Sequence, residues 1–469
     1  MSFPLKDDAL TIWSSGVEAV LPEPLVANRL GLAMAADGSA VVSVDGRPFA
    51  LSPTARVIVV GMGKATGQMA AGAESALGAL IPARRLGGWV NLPADAMPRL
   101  RAIHPHAGRP AGLNEPTEEG VYGARKMTEL IESATPDDLI LALISGGGSA
   151  LAPLPIPEIT LNEKALVTRL LSGSGANIEE LNTVRKQLSL VKGGGMRRMA
   201  RGKRLVALIL SDVLGDPLDV IAGGATVENG TTAADALAVL RKFALDGRAD
   251  LRNLCAVLER EASASAAAVS SPEGYENHRN IIVANTRRAV DAAVCKAKEL
   301  GYKAQGVGAL RCEGDVATVV ETFLSVMNRT PPSFGPFAYV SGGEPTVTLA
   351  PPEIRGKGGR NTQLVLLTLI EALKNRSRFP AHFLVLSGGT DGEDGPTDAA
   401  GAFFDDLFVT KLLEEGPEVL TAAREAARRN DSYTFFAEKG GLLRSGATGT
   451  NVCDLRLLLF SAKVATENR

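Results

Sequence analysis

The chain has 469 residues, with 50 Lys and Arg against 52 Asp and Glu and a formal net charge of −2, so it lacks the basic excess of a nucleic-acid binder. A hydrophobic share of 45% excludes a disordered chain, and the length suits two or three domains, each with its own core. Fifty glycines stand against 14 Phe, 5 Tyr and 2 Trp, which points to small-residue turns at the ends of aliphatic strands rather than to aromatic stacking platforms.

Lys6, Asp7 and Asp8 fall where a signal peptide needs apolar residues, and no run has the length of a membrane span, so a cytoplasmic protein with no membrane partner is expected. Cys255, Cys295, Cys312 and Cys453 contain no C-x-x-C pair and read as reduced thiols. Leu10, Ile12, Trp13, Val17 and Val20 recur at helical spacing, predicting a helix over 8–20 that Pro22 and Pro24 stop. From residue 57 the pattern changes to aliphatic runs that end in glycine or an acid, at 57–64, 139–149 and 205–212. Such runs, separated by helix-length stretches at 117–133 and 231–247, predict a parallel sheet in an α/β layer.

After a Ser/Ala/Pro stretch at 262–277, a strand feeding a helix is expected at 280–293, with further strands in 337–346, 383–402 and 451–460. The expected domains are 1–275 and 276–469, with exchange of a segment between them left open.

Three strand-like runs end in Ser-Gly-Gly: Ser145-Gly146-Gly147, Ser341-Gly342-Gly343 and Ser387-Gly388-Gly389. Glycine at the carboxyl end of a strand lets backbone N–H groups approach an anion, although tight turns use the same residues. The segment GMGKATG misses the dinucleotide fingerprint by one residue and leaves Lys64 after Gly63, either as a helix-start residue or as a cation over phosphates. Arg355, Lys357 and Arg360 crowd a glycine-rich stretch, where Arg360 suits phosphoryl or carboxylate oxygens unless the loop is merely a basic surface. Asp212 and Asp391 each follow an aliphatic run and could hold Mg²⁺ or take a proton from a hydroxyl. Thr448, Thr450 and Asn451 precede the last strand, as ligand contacts or as turn caps. His104 and His106 are too isolated to read as a metal site.

The stretches LISGGGSA, LNTVRKQLSLVKGGG, LILSDVLGDPLDVIA, GKGGRN, SGGTDGEDGPTDAAGAF and ATGTNVCDL, in this order, resemble the glycerate 2-kinase family, whose C-terminal part is called the MOFRL domain. The resemblance implies a Rossmann-like three-layer N-terminal domain and a smaller α/β C-terminal domain, with the active site in the cleft between them. It implies phosphoryl transfer from ATP to the 2-hydroxyl of D-glycerate, with Mg²⁺ or another divalent cation, in a monomer or homodimer.

Carried over by motif, Lys64, Asp212, Arg360 and Asp391 form the expected catalytic set, with Asp212 and Asp391 also the metal ligands. The expected binding set is Gly63, Ser145, Gly146, Gly147, Gly148, Ser149, Ser341, Gly342, Gly343, Glu344, Asn361, Ser387, Gly388, Gly389, Thr450 and Asn451. The chain departs from the family pattern at 103–107, at 222–226, where Gly223 and Ala225 replace a serine and a proline, at 361–363 and at 446–448. An NAD(P)H-dependent hydroxypyruvate reductase, or a silent nucleotide- or hydroxy-acid-binding relative, is the alternative function.

Overall fold

Aliphatic strands alternating with helices build a six-stranded sheet from the segments Ile103–Arg109, Leu86–Pro93, Val57–Met62, Leu139–Ile144, Arg204–Leu210 and His278–Ala284, in that spatial order. Taken in sequence, this is the 3-2-1-4-5-6 order of a Rossmann fold, and the first five strands pair parallel. The structure is a computed structural model that describes residues 5–110, 112–113, 115–265, 273–308, 313–330 and 335–461. Cys312 lies outside the described residues. The chain divides into two units, Pro22–Val283, called the Rossmann unit below, and Met1–Leu21 with Ala284–Arg469, called the C-terminal unit.

In the Rossmann unit, strands Val57–Met62 and Leu139–Ile144 are buried along their whole length, as expected for parallel strands covered on both faces. Ile58, Val60, Met62, Ile140 and Ile144 meet Ala124, Met127 and Ile131 of helix Glu118–Ser133 in one core. That helix starts where its sequence says it should, because the Thr117 hydroxyl accepts from Gly120 N–H at 3.0 Å. Strands Leu86–Pro93 and Ile103–Arg109 are not legible as aliphatic runs. Pro105 is tolerated because Ile103–Arg109 is an edge strand. A separate three-stranded antiparallel sheet, Leu30–Met34, Ala40–Val44 and Arg47–Leu51, was also unexpected.

The C-terminal unit holds a mixed sheet in the order Lys303–Gly308, Phe337–Gly343, Asp454–Ser461, His382–Gly389, Gly401–Asp405 and Leu442–Leu443. Its last-made strand, Asp454–Ser461, is inserted antiparallel between two neighbours. The helix expected over 8–20 forms as Leu5–Glu18 and belongs to the C-terminal unit. Ile12, Trp13 and Val17 pack with Leu455, Leu457 and Leu459 of the C-terminal unit, and Trp13 Nε1 donates to the Gly388 carbonyl at 3.5 Å. Pro22 ends that helix and also opens the next one, Pro22–Ala27, as a first-turn proline can. Among the described residues no helix is long and apolar enough to cross a membrane.

Candidate active site

In a doubly wound sheet, ligands bind beyond the carboxyl ends of the strands where the order reverses, here between Val57–Met62 and Leu139–Ile144. Those two strands end at Gly63-Lys64 and at Ser145-Gly146-Gly147. The two turns are tied together: Lys64 N–H donates to the Gly146 carbonyl at 2.9 Å, and Ala65 N–H donates to Ser145 Oγ at 3.0 Å. Gly63 has φ +142°, and a β-carbon there would lie 2.6 Å from the Ser145 carbonyl oxygen, so only glycine permits this approach. Ser145 is therefore a structural tie between the two turns.

Charge converges on the second turn. A β-carbon on Gly146 would lie 1.9 Å from Asp212 Oδ2, and one on Gly147 would lie 3.4 Å from Lys64 Cγ and 3.6 Å from Arg109 Nη2. Lys64 is exposed, whereas Arg109 is 4% exposed. Burial pushes the Arg109 guanidinium below its ordinary value, and Asp95 opposes that shift. The sequence reading missed Arg109. Its signal was position, at the carboxyl end of a strand beside the switch point, in a stretch too irregular to be read as a strand.

A second cluster lies in the C-terminal unit. Arg360 opens helix Arg360–Lys374 and reaches Asp454 twice, from Nε to Oδ2 at 2.7 Å and from Nη2 to Oδ1 at 3.0 Å, while Nη1 donates to Glu344 Oε1 at 2.7 Å. Burial works against the guanidinium charge, but Asp454 and then Glu344 outweigh it and hold Arg360 above its ordinary value. Asn361 Nδ2 donates to Asp454 Oδ1 at 2.9 Å and Asn361 Oδ1 accepts from Ser387 Oγ. Asp394 is buried beneath the same helix start and accepts from Asn361 N–H, Thr362 N–H and Thr362 Oγ1 at 2.7–2.9 Å. Burial pushes its carboxyl up, against the pull of those donors.

Several sequence expectations change here. Arg360, expected in one catalytic set with Asp212 and Asp391, has Asp454 and Glu344 as its hydrogen-bond partners. Asp454 was missed because it reads as one more residue of an alternating strand. Only Ser145-Gly146-Gly147 forms a loop at a strand end. Ser341–Gly343 and Ser387–Gly389 lie inside strands, paired in register on the two sides of Asp454–Ser461, so their backbone is engaged in the ladder rather than offered as an anion nest. Gly343 and Gly389 both sit opposite Asp454. Thr450 is 4% exposed and its hydroxyl donates to the Val20 carbonyl at 2.7 Å, which anchors the N-terminal segment. Asn451 Oδ1 accepts from Cys453 N–H at 3.0 Å and folds the turn that carries Cys453 at φ +71°. Asp391 Oδ1 accepts from Glu393 N–H at 3.1 Å.

Among the described residues, no group of three or more His, Cys, Asp or Glu is placed to hold a metal ion. Mg²⁺ commonly takes one or two carboxylates and completes its shell with water and substrate phosphates, so single acids such as Asp212 and Asp391 fit that donor set.

Residues 8–258 match the family profile described as a domain of unknown function, DUF4147, and residues 337–454 match the MOFRL family. The chain is 36% identical to a human glycerate kinase, across 98% of this chain and 94% of that one. It is 34% identical to a D-glycerate 2-kinase of Thermotoga maritima, across 96% of this chain and 97% of that one.

The chain belongs to the glycerate kinase family.

A crystal structure of a glycerate kinase from Thermotoga maritima superposes with a TM-score of 0.78 at 32% identity, covering 97% of this chain and 99% of that one. A relative from Agrobacterium vitis, 35% identical over 87% of this chain and 88% of its own, carries the name putative hydroxypyruvate reductase. Against the glycerate kinase family pattern, the departure at Gly223 has a structural reason. Gly223 has φ +76°, and a β-carbon there would lie 2.8 Å from Lys192 Cδ, so glycine makes room for the stem of that lysine.

Proposed function

We propose that the chain is an ATP-dependent kinase that phosphorylates the 2-hydroxyl of D-glycerate, giving 2-phospho-D-glycerate and ADP. The observation that carries this reading is the convergence of Lys64, Arg109 and Asp212 over the Gly146-Gly147 turn, at the place where a Rossmann sheet binds its ligand. Kinship with glycerate kinases along nearly the whole chain supports it.

In the proposed reaction Asp212 accepts the proton of the 2-hydroxyl. The hydroxyl oxygen bonds to the γ-phosphorus, and the bond from that phosphorus to its β–γ bridging oxygen breaks, with the electron pair leaving on ADP. Such transfers depend on positioning and electrostatics more than on covalent chemistry by the protein. Lys64 and Arg109 offset phosphoryl charge, and the Gly146-Gly147 turn lets the phosphate approach the backbone closely. Within the C-terminal unit, Arg360 is a phosphate-binding candidate in its own right, with exposed Glu344 as the partner that a phosphate can replace and Asp454 as the fixed one. Asp212 in the Rossmann unit, or Asp391 in the C-terminal unit, would be the acid that holds Mg²⁺, which would supply charge neutralisation.

The test is an ADP-release assay with D-glycerate on the wild type and on Lys64→Ala and Asp212→Asn. Each variant is expected to lose about 100-fold or more in kcat, and unchanged rates in both would overturn the residue assignment. NADH consumption with hydroxypyruvate, without ADP release from glycerate and ATP, would replace the kinase by the reductase reading.

A further inference from the structure

Beside the Gly147 turn, within the Rossmann unit, lies a cavity of about 280 Å³ lined by Ser149, Lys164, Arg169, Arg185 and Lys192, with Glu115 the one carboxylate among the described residues of its wall. Lys192 is 3% exposed and Lys164 4% exposed. Lys164 Nζ donates to the Pro153 carbonyl at 2.7 Å. No hydrogen bond or ion pair engages the Lys192 ammonium among the described residues. Ser149 Oγ and Arg185 Nε are also buried without partners, although Arg185 Nη2 donates to Asn182 Oδ1.

Buried polar atoms are ordinarily paired, and like charges gathered in a low-dielectric wall destabilise one another. The free protein tolerates that cost here at several residues that face the same space. Burial, then Arg185, pulls the Lys164 ammonium down to about 7. Burial, then Lys164 and Arg185, pulls Lys192 well below its ordinary value. A structural role accounts for Lys164, which ties down the Pro153 carbonyl. It does not account for Lys192, Arg185 Nε and Ser149 Oγ together. An anion placed among them would satisfy all three.

We propose that this cavity is the subsite for the carboxylate of the acceptor substrate, with Lys192 and Arg185 holding its oxygens and Ser149 donating a hydrogen bond. This rests on the glycerate reading above. The cavity has room for a three-carbon acid. Its position, bounded by Gly147 and Ser149, puts it on the same short loop that Asp212 and Lys64 contact at Gly146 and Gly147. An acid anchored here would present its 2-hydroxyl toward that turn. Gly223 keeps the Lys192 stem in place.

The experiment combines calorimetric titration of D-glycerate without nucleotide with steady-state kinetics, on the full chain and on Lys192→Met and Ser149→Ala. Lys192→Met is expected to weaken D-glycerate binding and raise its KM by about 10-fold or more, with the KM for ATP changed by less than about twofold. Ser149→Ala, a smaller change that keeps the fold, is expected to weaken D-glycerate by about fivefold. Removing an unpaired buried cation should leave the melting temperature of the free Lys192→Met protein equal to or above that of the wild type, where a structural role would lower it. A rise in the KM for ATP in place of that for glycerate, or unchanged glycerate affinity in both variants, would overturn the subsite. A wild type that phosphorylates glycerate while both variants match it removes the subsite alone. A wild type that binds glycerate through Lys192 yet releases no ADP removes the kinase reading alone.

Discussion

Arg360 and Asp454 meet through two parallel hydrogen bonds, 2.7 and 3.0 Å long, at the start of a helix and the start of a strand 94 residues apart in the chain. The carboxylate side is 1% exposed and the guanidinium side 33% exposed. Removing one partner of such a pair leaves a charge without compensation, and Asp454 also accepts from Asn361. Asp454→Asn is therefore expected to lower stability by about 2 kcal/mol, discounted for the solvent that reaches Arg360. Urea unfolding measures it, and a change within experimental error would show that solvent already compensates the arginine.

Gly146→Ala tests the catalytic turn from its backbone. The glycine is not in the left-handed region, so alanine adds no backbone strain, but its β-carbon would fall 1.9 Å from Asp212 Oδ2 and the acid must move. The expected outcome is a loss of about 100-fold in kcat with little change in the melting temperature.

Thr450→Val separates ligand contact from anchoring. Its hydroxyl donates to the Val20 carbonyl, so valine should lower stability by about 1 kcal/mol and leave both KM values unchanged. A raised KM for ATP with unchanged stability would restore Thr450 to the nucleotide site.

The basic cavity gives stability a pH dependence. Lys164 titrates near 7 in the folded chain and at its ordinary value of 10.5 when unfolded. It faces Glu115, Arg169, Arg185 and Lys192, and Lys192 is shifted in the same direction. Between the folded and unfolded values the unfolded chain binds more protons, so stability rises with pH from about 7 toward 10 and the gain is lost as pH falls through 7. Melting curves across that range are expected to show the rise in the wild type and a smaller one in Lys164→Met. Saturating D-glycerate should flatten it if an anion neutralises the cluster.

The Rossmann unit was legible wherever a strand was aliphatic and ended in glycine, because burial on both faces leaves that pattern and the switch point then marks Gly63, Lys64 and Ser145 through Gly148. Leu86–Pro93 and Ile103–Arg109 were not legible, since Trp89, Asn91, His104 and Pro105 break the pattern, and Arg109 went with them. Lys164, Arg185 and Lys192 come from separate segments, so no local spacing announces their cavity. Asp454 looked like strand alternation, and only the insertion of its strand between two others puts it under Arg360. Nothing near Trp13 tells that its helix packs against a strand made at the far end of the chain.

The conversion is read from its products when the purified full chain is incubated with D-glycerate, ATP and Mg²⁺ and 2-phosphoglycerate is separated from 3-phosphoglycerate. The expected products are 2-phosphoglycerate and ADP in equal amounts, formed about 100-fold or more slowly by Lys64→Ala. Formation of 3-phosphoglycerate, or no phosphorylated product from a folded wild type, would contradict that conversion.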